Sequence, residues 1–152
     1  MRVSKKSGDA AGKVDQALID GLNEDLAFEY QAVIMYRTYA SAVRGPYRQE
    51  LRQFFEGEIT DELGHAQMLC DKIIALGGVP TTEAKPVTFT EDTREMFQYA
   101  LEGERSTIDR YVKRRKQAED AGEFGLAIDL DTLIADESKH RDELRLMLDR
   151  WK

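Results

Sequence analysis

Apolar side chains return at alternating steps of three and four residues through four long stretches, and nothing else in the chain constrains its fold so tightly. The first seam is Leu22, Leu26, Glu29, Val33, Tyr36 and Ala40. The second is Leu51, Phe55, Glu58, Glu62, His65, Leu69, Ile73 and Leu76. The third is Phe97, Leu101, Glu104, Ile108 and Tyr111, and the fourth is Leu126, Leu130, Leu133, Glu137, His140, Leu144 and Met147. That period keeps one helix face turned to a core.

Punctuation sets the boundaries. Helices are expected over about residues 15–43, 46–76, 91–121 and 123–152, each roughly 40–45 Å long at 1.5 Å per residue. Pro46 is expected in the first turn of the second helix, and Thr90 is expected to cap the third, with Glu91 and Asp92 favouring its dipole. The links at Gly45-Pro46 and Gly122 are short, so helices one and two pair antiparallel, as do three and four. The middle link, about 14 residues after Gly77-Gly78-Val79-Pro80, can span about 45 Å and cross the whole bundle. The expected fold is all-α: a four-helix bundle over residues 15–152 with one long crossover between helices two and three, behind a polar tail of residues 1–14.

In the middle of every seam the apolar stripe is interrupted. Glu29, Glu62, Glu104 and Glu137 each stand at a core position near a helix midpoint, where a carboxylate is costly unless paired or metal-bound. Two are followed by histidine at the spacing that shares a helix face, Glu62-Leu63-Gly64-His65 and Glu137-Ser138-Lys139-His140, and these are the only two histidines in the sequence. The halves repeat. Glu29 to Glu62 is 33 residues, as is Glu104 to Glu137; Tyr36 and Tyr111 each lie seven after a glutamate; Asp61 and Asp136 each precede one. One Glu from each of two helices with Glu-x-x-His from the other two is the general pattern of di-iron and di-manganese carboxylate bundles. Metal ligands are therefore expected at Glu29, Glu62, His65, Glu104, Glu137 and His140, arranged about a pseudo-twofold axis. Tyr36 and Tyr111 are expected to bond ligating carboxylates, and Asp61 and Asp136 the free histidine nitrogens. Glu58 is balanced between this site and solvent. Cys70 reads as a small buried hydrophobe.

Composition narrows the function classes. A net charge of −7 speaks against a nucleic-acid-binding body and suits a protein that attracts cations. No apolar run reaches membrane-spanning length, the N-terminus has no signal-like apolar region, and one cysteine makes no internal disulfide, so a cytoplasmic protein without a membrane partner is expected.

Over about residues 16–150 the chain resembles the ferritin-like superfamily, most closely its bacterioferritin branch. The resemblance is carried by Glu29-Tyr30-Gln31-Ala32 with Tyr36, Asp61-Glu62-Leu63-Gly64-His65-Ala66, Leu76-Gly77-Gly78-Val79-Pro80, Ala100-Leu101-Glu102-Gly103-Glu104 and Asp136-Glu137-Ser138-Lys139-His140. It implies two iron ions per chain, with Mn as an alternative metal, and oxidation of Fe(II) by dioxygen or peroxide for iron storage or detoxification. A paired helical protein of this size is expected to form a homo-oligomer, at least a dimer. Leu63 stands where bacterioferritin has a haem-ligating methionine, so haem is not expected. The chain ends at Trp151-Lys152, where such shells have a short fifth helix, so a large cage is not expected either. A rubrerythrin-like peroxidase or a manganese-catalase-like enzyme is the alternative on the same site. Rubrerythrin, however, has an extra helix-three glutamate where this chain has Thr107, and usually a Cys-x-x-Cys module. A starvation-type DNA-protecting protein is disfavoured by the net charge and by the two intrachain Glu-x-x-His motifs.

Overall fold

The computed structural model describes residues 12–152, with side chains from residue 16 onward. Residues 1–11 of the expected tail lie outside the described residues. Four helices follow: α1 (Gly12–Ala42), α2 (Arg48–Ala75), α3 (Thr93–Asp120) and α4 (Phe124–Leu148). α1 pairs with α2 and α3 with α4, and the two pairs meet chiefly along α1 and α3. This is the expected bundle with one long crossover.

The helix ends follow from backbone chemistry. α2 and α3 both close with a glycine of positive φ, Gly77 at 84° and Gly122 at 77°. In each, the glycine N–H and the next N–H turn back onto the last-turn carbonyls: Gly77 to Ile74 and Gly78 to Ile73, Gly122 to Glu119 and Glu123 to Ala118. That double bond pattern needs a left-handed residue, which glycine adopts without strain.

Three boundaries differ from expectation. α1 begins at Gly12, inside the stretch assigned to the tail. Pro46 lies in the turn before α2, because Arg48 N–H bonds back to the Gly45 carbonyl and the Arg48 guanidinium caps the end of α1 at the Ser41 and Val43 carbonyls. The cap of α3 is Asp92, whose carboxylate accepts from Glu95 N–H at 2.8 Å. Thr90 sits two residues earlier and donates to the Glu95 carboxylate at 2.6 Å.

The crossover, residues 76–92, has no regular structure and runs along α1. Asn23 donates to the Val79 carbonyl and accepts from Thr81 N–H; Lys85 N–H bonds the Ala27 carbonyl; Gln31 and Tyr39 bond the carbonyls of Pro86 and Thr88. Extended backbone without a partner strand is thus satisfied by side chains and one carbonyl of the helix beneath it.

The core has two parts. Leu18, Leu22, Leu26, Leu69, Ile73, Leu130 and their neighbours fill one end. Tyr36, Tyr39, Phe55, Met96, Phe97 and Leu144 fill the other, with Phe54 and Trp151 stacked against Phe97. The layer between is acidic. A separate buried charge, Asp25, is held by Arg114 at 2.8 Å, and Arg114 lies across Gly21, where any Cβ would collide with its guanidinium.

Burial raises the Asp25 pKa against the pull of Arg114, so this pair supports the fold only while both members are present. Arg114→Met alone is expected to cost about 3 kcal/mol by leaving Asp25 buried and unpaired, whereas Asp25→Leu with Arg114→Met recovers most of it. Urea unfolding midpoints of the two variants check this; equal losses would contradict it.

Candidate metal centre

All six expected ligands lie buried in the acidic layer, one glutamate from each helix and one histidine each from α2 and α4. Their donor atoms form two groups: Glu29, Glu62, His65 and Glu137, and Glu58, Glu62, Glu104 and His140. Within each group one ligand atom per residue lies within 4.8 Å of every other. Glu62 belongs to both. The imidazoles face each other with ring centroids 6.4 Å apart.

The donor atoms point inward without satisfying one another. Glu29 Oε2, Glu58 Oε2, Glu62 Oε1, Glu137 Oε1 and the Nδ1 atoms of His65 and His140 are all buried without a hydrogen-bond partner. His65 Nδ1 comes within 2.7 Å of Glu137 Oε1 and His140 Nδ1 within 3.0 Å of Glu58 Oε2, yet neither contact has hydrogen-bond geometry. Buried polar atoms are normally paired. A cluster of lone pairs aimed at common points is what a cation would satisfy, so the donor set fits a pair of metal ions. Two divalent ions would be neutralised by Glu29, Glu62, Glu104 and Glu137.

A shell of hydrogen bonds orients these donors, and it is wired across the two halves. Glu29 and Glu104, Tyr36 and Tyr111, Asp61 and Asp136, Glu62 and Glu137, and His65 and His140 are each 75 positions apart. Tyr36 on α1 donates to Glu104 on α3 at 2.6 Å, and Tyr111 on α3 donates back to Glu29 on α1. His65 Nε2 meets Asp136 at 3.2 Å, and His140 Nε2 meets Asp61 at 3.0 Å. The sequence pointed to Asp61 and Asp136 as partners of histidine nitrogens; the structure pairs each with the histidine of the other half. Carboxylates at both Nε2 atoms favour the Nε2–H tautomer and leave Nδ1 free to ligate.

Glu58 breaks the symmetry, since Leu133 occupies the equivalent place on α4. Its carboxylate is buried against His140 instead of solvated. A glutamate one turn before another is ordinary on a helix surface, so spacing alone does not separate the two places. Its place in the α2 seam, between Phe55 and Glu62, was the available signal.

Proton occupancy without metal follows from burial and mutual repulsion. Burial and the Glu62 charge push Glu29 well above the carboxylate range. Burial works to raise Glu62, but the neighbouring Glu29 carboxyl and the His140 and His65 imidazoles hold it far below its ordinary value. Burial lowers the affinity of His140 for a proton, yet Glu104, Glu62 and Glu58 outweigh it and lift the pKa to about 11. Tyr36 and Tyr111, buried beside carboxylates, stay protonated as donors.

The ferritin-like domain family profile matches residues 19–152. The chain belongs to the ferritin-like family. It is 30% identical over 136 residues to a bacterioferritin of Streptomyces coelicolor, covering 89% of this chain and 81% of that relative. A ferritin-like, diiron-carboxylate protein from Bacillus anthracis superimposes with a TM-score of 0.88 at 50% identity, over 90% of this chain and 99% of that one. The bacterioferritin-related protein of Bacteroides fragilis, a dodecameric thioferritin, has a TM-score of 0.79 at 27% identity, over 89% and 86% of the two chains.

Glu58 gives this ferritin-like chain a pH signature when metal is absent. Burial raises its pKa from 4.5 to about 7. A raised carboxylate contributes stability that is complete below the unfolded value and is lost as pH rises through the folded one. Glu58→Gln, which cannot ionise, should match wild type near pH 4.5 and be more stable above pH 7, by about 1–2 kcal/mol after allowance for partial exposure. Denaturant titrations of the chelated proteins across that window provide the check; a constant difference would contradict it.

Proposed function

We propose that the chain binds two ferrous ions as substrate between Glu29, Glu62, His65, Glu104, Glu137 and His140, with Glu58 beside His140, and oxidises them to Fe(III) with dioxygen or peroxide. Iron storage or detoxification is the consequence. The observation that carries the reading is the set of buried, unpartnered donor atoms converging on two adjacent points. The bacterioferritin and diiron-carboxylate relatives support the choice of iron.

The chain's own residues have definable tasks. Four carboxylates supply four negative charges to two divalent ions, so the loaded layer is neutral between its apolar ends. Glu62, common to both groups, is the natural bridge. Asp61 and Asp136 hold the imidazoles with Nδ1 facing inward, and Tyr36 and Tyr111 hold Glu104 and Glu29. His140, its pKa lifted to about 11, carries a proton at neutral pH when the site is free, and burial favours one on Glu29; uptake of metal displaces such protons and so weakens as pH falls. Bound iron supplies the one-electron chemistry; the ionised form of Glu58 offers a further negative charge as the ions become trivalent.

One observation favours a second reading. The Glu58, Glu62, Glu104, His140 group has three carboxylates to one imidazole, an oxygen-rich set that also suits manganese. On that reading the centre turns over peroxide, as a rubrerythrin-like or manganese-catalase-like enzyme. Assembly as at least a homodimer belongs to both readings and is supported by half-exposed Ile34 and Leu63 on the paired helices α1 and α2.

The protein is expected to take up about two Fe(II) per chain and to oxidise them faster than Glu62→Ala with His140→Ala, which should fall to the rate of free ferrous iron. Metal analysis and stopped-flow absorbance measure both. Equal rates for the two proteins would refute the ferroxidase reading, and peroxide turnover by the Mn-loaded protein alone would favour the second.

A further inference from the structure

A cavity of about 310 Å³ lies between α1, α3 and the crossover. This is at the small end of ligand sites, which run roughly 300–1,000 Å³. Its inner lining includes Glu62, Glu104 and Glu137, so whatever enters lies beside the metal centre. The walls stand 75 positions apart in sequence, but they do not match. α1 contributes Phe28, Ala32 and Met35; at the equivalent places α3 contributes Gly103, Thr107 and Arg110. At these three places the α1 wall is apolar, with Gln31 beside it, and the α3 wall is open, hydroxyl-bearing and cationic, with Glu102 beside it.

Arg110 is the informative member. Its guanidinium carbon lies 3.5 Å from the centroid of the Phe28 ring, and its Nη2 donates to Thr107 Oγ1 at 2.8 Å. Its Nε is buried without a partner. Among the described residues no carboxylate comes within ion-pair distance of it, whereas Arg114, one turn further along α3, is bound to Asp25. A stacked guanidinium is rigid and presents its donors in the planar fork that suits a carboxylate.

We propose that this cavity binds a small organic monocarboxylate, with its carboxylate on Arg110 and Thr107 and its apolar body along Phe28 and Met35, next to the metal centre. An inorganic anion would leave the apolar wall unused, and a hydrated cation would meet the guanidinium. The proposal rests on the di-metal reading in one respect: two divalent ions would neutralise Glu62, Glu104 and Glu137, leaving Glu102 as the one carboxylate of the lining outside the centre, so binding should be tighter to the loaded protein.

The experiment uses the full chain loaded with redox-inert Zn(II) and follows 4-fluorobenzoate by fluorine NMR, with neutral 4-fluorobenzamide as the control. Benzoate is expected to bind and the amide to bind at least tenfold more weakly. Arg110→Met, which copies the α1 wall, should weaken benzoate at least tenfold. Gly103→Phe, which copies Phe28 at a position with no heavy atom within 4 Å of a new Cβ, should abolish it. Both variants should keep the zinc content of wild type. No benzoate binding by wild type, equal binding of the amide, or an Arg110→Met titration within twofold of wild type would each overturn the proposal. Zinc content is read separately. A zinc-loaded chain that fails the benzoate titrations overturns the cavity alone, whereas a chain that takes up no metal overturns the function proposed above and, with the lining glutamates left charged, this proposal with it.

Discussion

Five glutamates and two histidines are shut between two apolar cores, and the rest of the molecule is arranged around that fact. No carboxylate in such a layer can be left both ionised and alone. Without metal the layer eases its repulsion by protonation, which burial favours at Glu29 and the surrounding carboxylates favour at His140, and Glu62 stays the anion between them. With two divalent ions the four ligand glutamates need no protons. Metal binding and the stability of the bundle are therefore linked through one set of atoms, as they are wherever a metal site replaces part of a core.

The cross-wiring explains why the layer holds its shape. Each half of the bundle is an antiparallel helix pair that carries its own ligands, yet the bonds that orient those ligands come from the other half. Tyr36 and Asp61 of the first pair fix Glu104 and His140 of the second; Tyr111 and Asp136 return the arrangement to Glu29 and His65. Neither pair can preorganise its donors alone. The crossover has a matching part, because its bonds to Asn23, Ala27, Gln31 and Tyr39 hold α1, which carries Glu29 and Tyr36, against the start of α3.

Much of this was legible because helical period and burial are strongly coupled. The seams identified from spacing alone are buried or half-buried along their length, and the interruptions converge in space. What escaped was information that period does not carry. Thr90 and Asp92 are both good capping residues two positions apart, and only the path of the crossover decides between them. Asp61 and Asp136 were recognisable as neighbours of histidines, but spacing along one helix cannot tell which histidine a side chain reaches across a bundle. Asp25 was hidden for the same reason, since its partner Arg114 lies 89 residues away.

The symmetric and asymmetric parts of the centre divide its chemistry. Positions that repeat at the 75-residue spacing, the glutamates, histidines, tyrosines and aspartates, would hold two equivalent charges on the proposed reading, and equivalence is enough for that task. Positions that break the repeat make the two sides differ. Glu58 against Leu133 gives the second donor group an extra carboxylate. Phe28, Ala32 and Met35 against Gly103, Thr107 and Arg110 open a one-sided cavity beside the ligands. A fully symmetric bundle would offer two like sites and no preferred approach to them. It is the departures from the repeat that make the layer open to one side, where the cavity lies beside Glu62, Glu104 and Glu137.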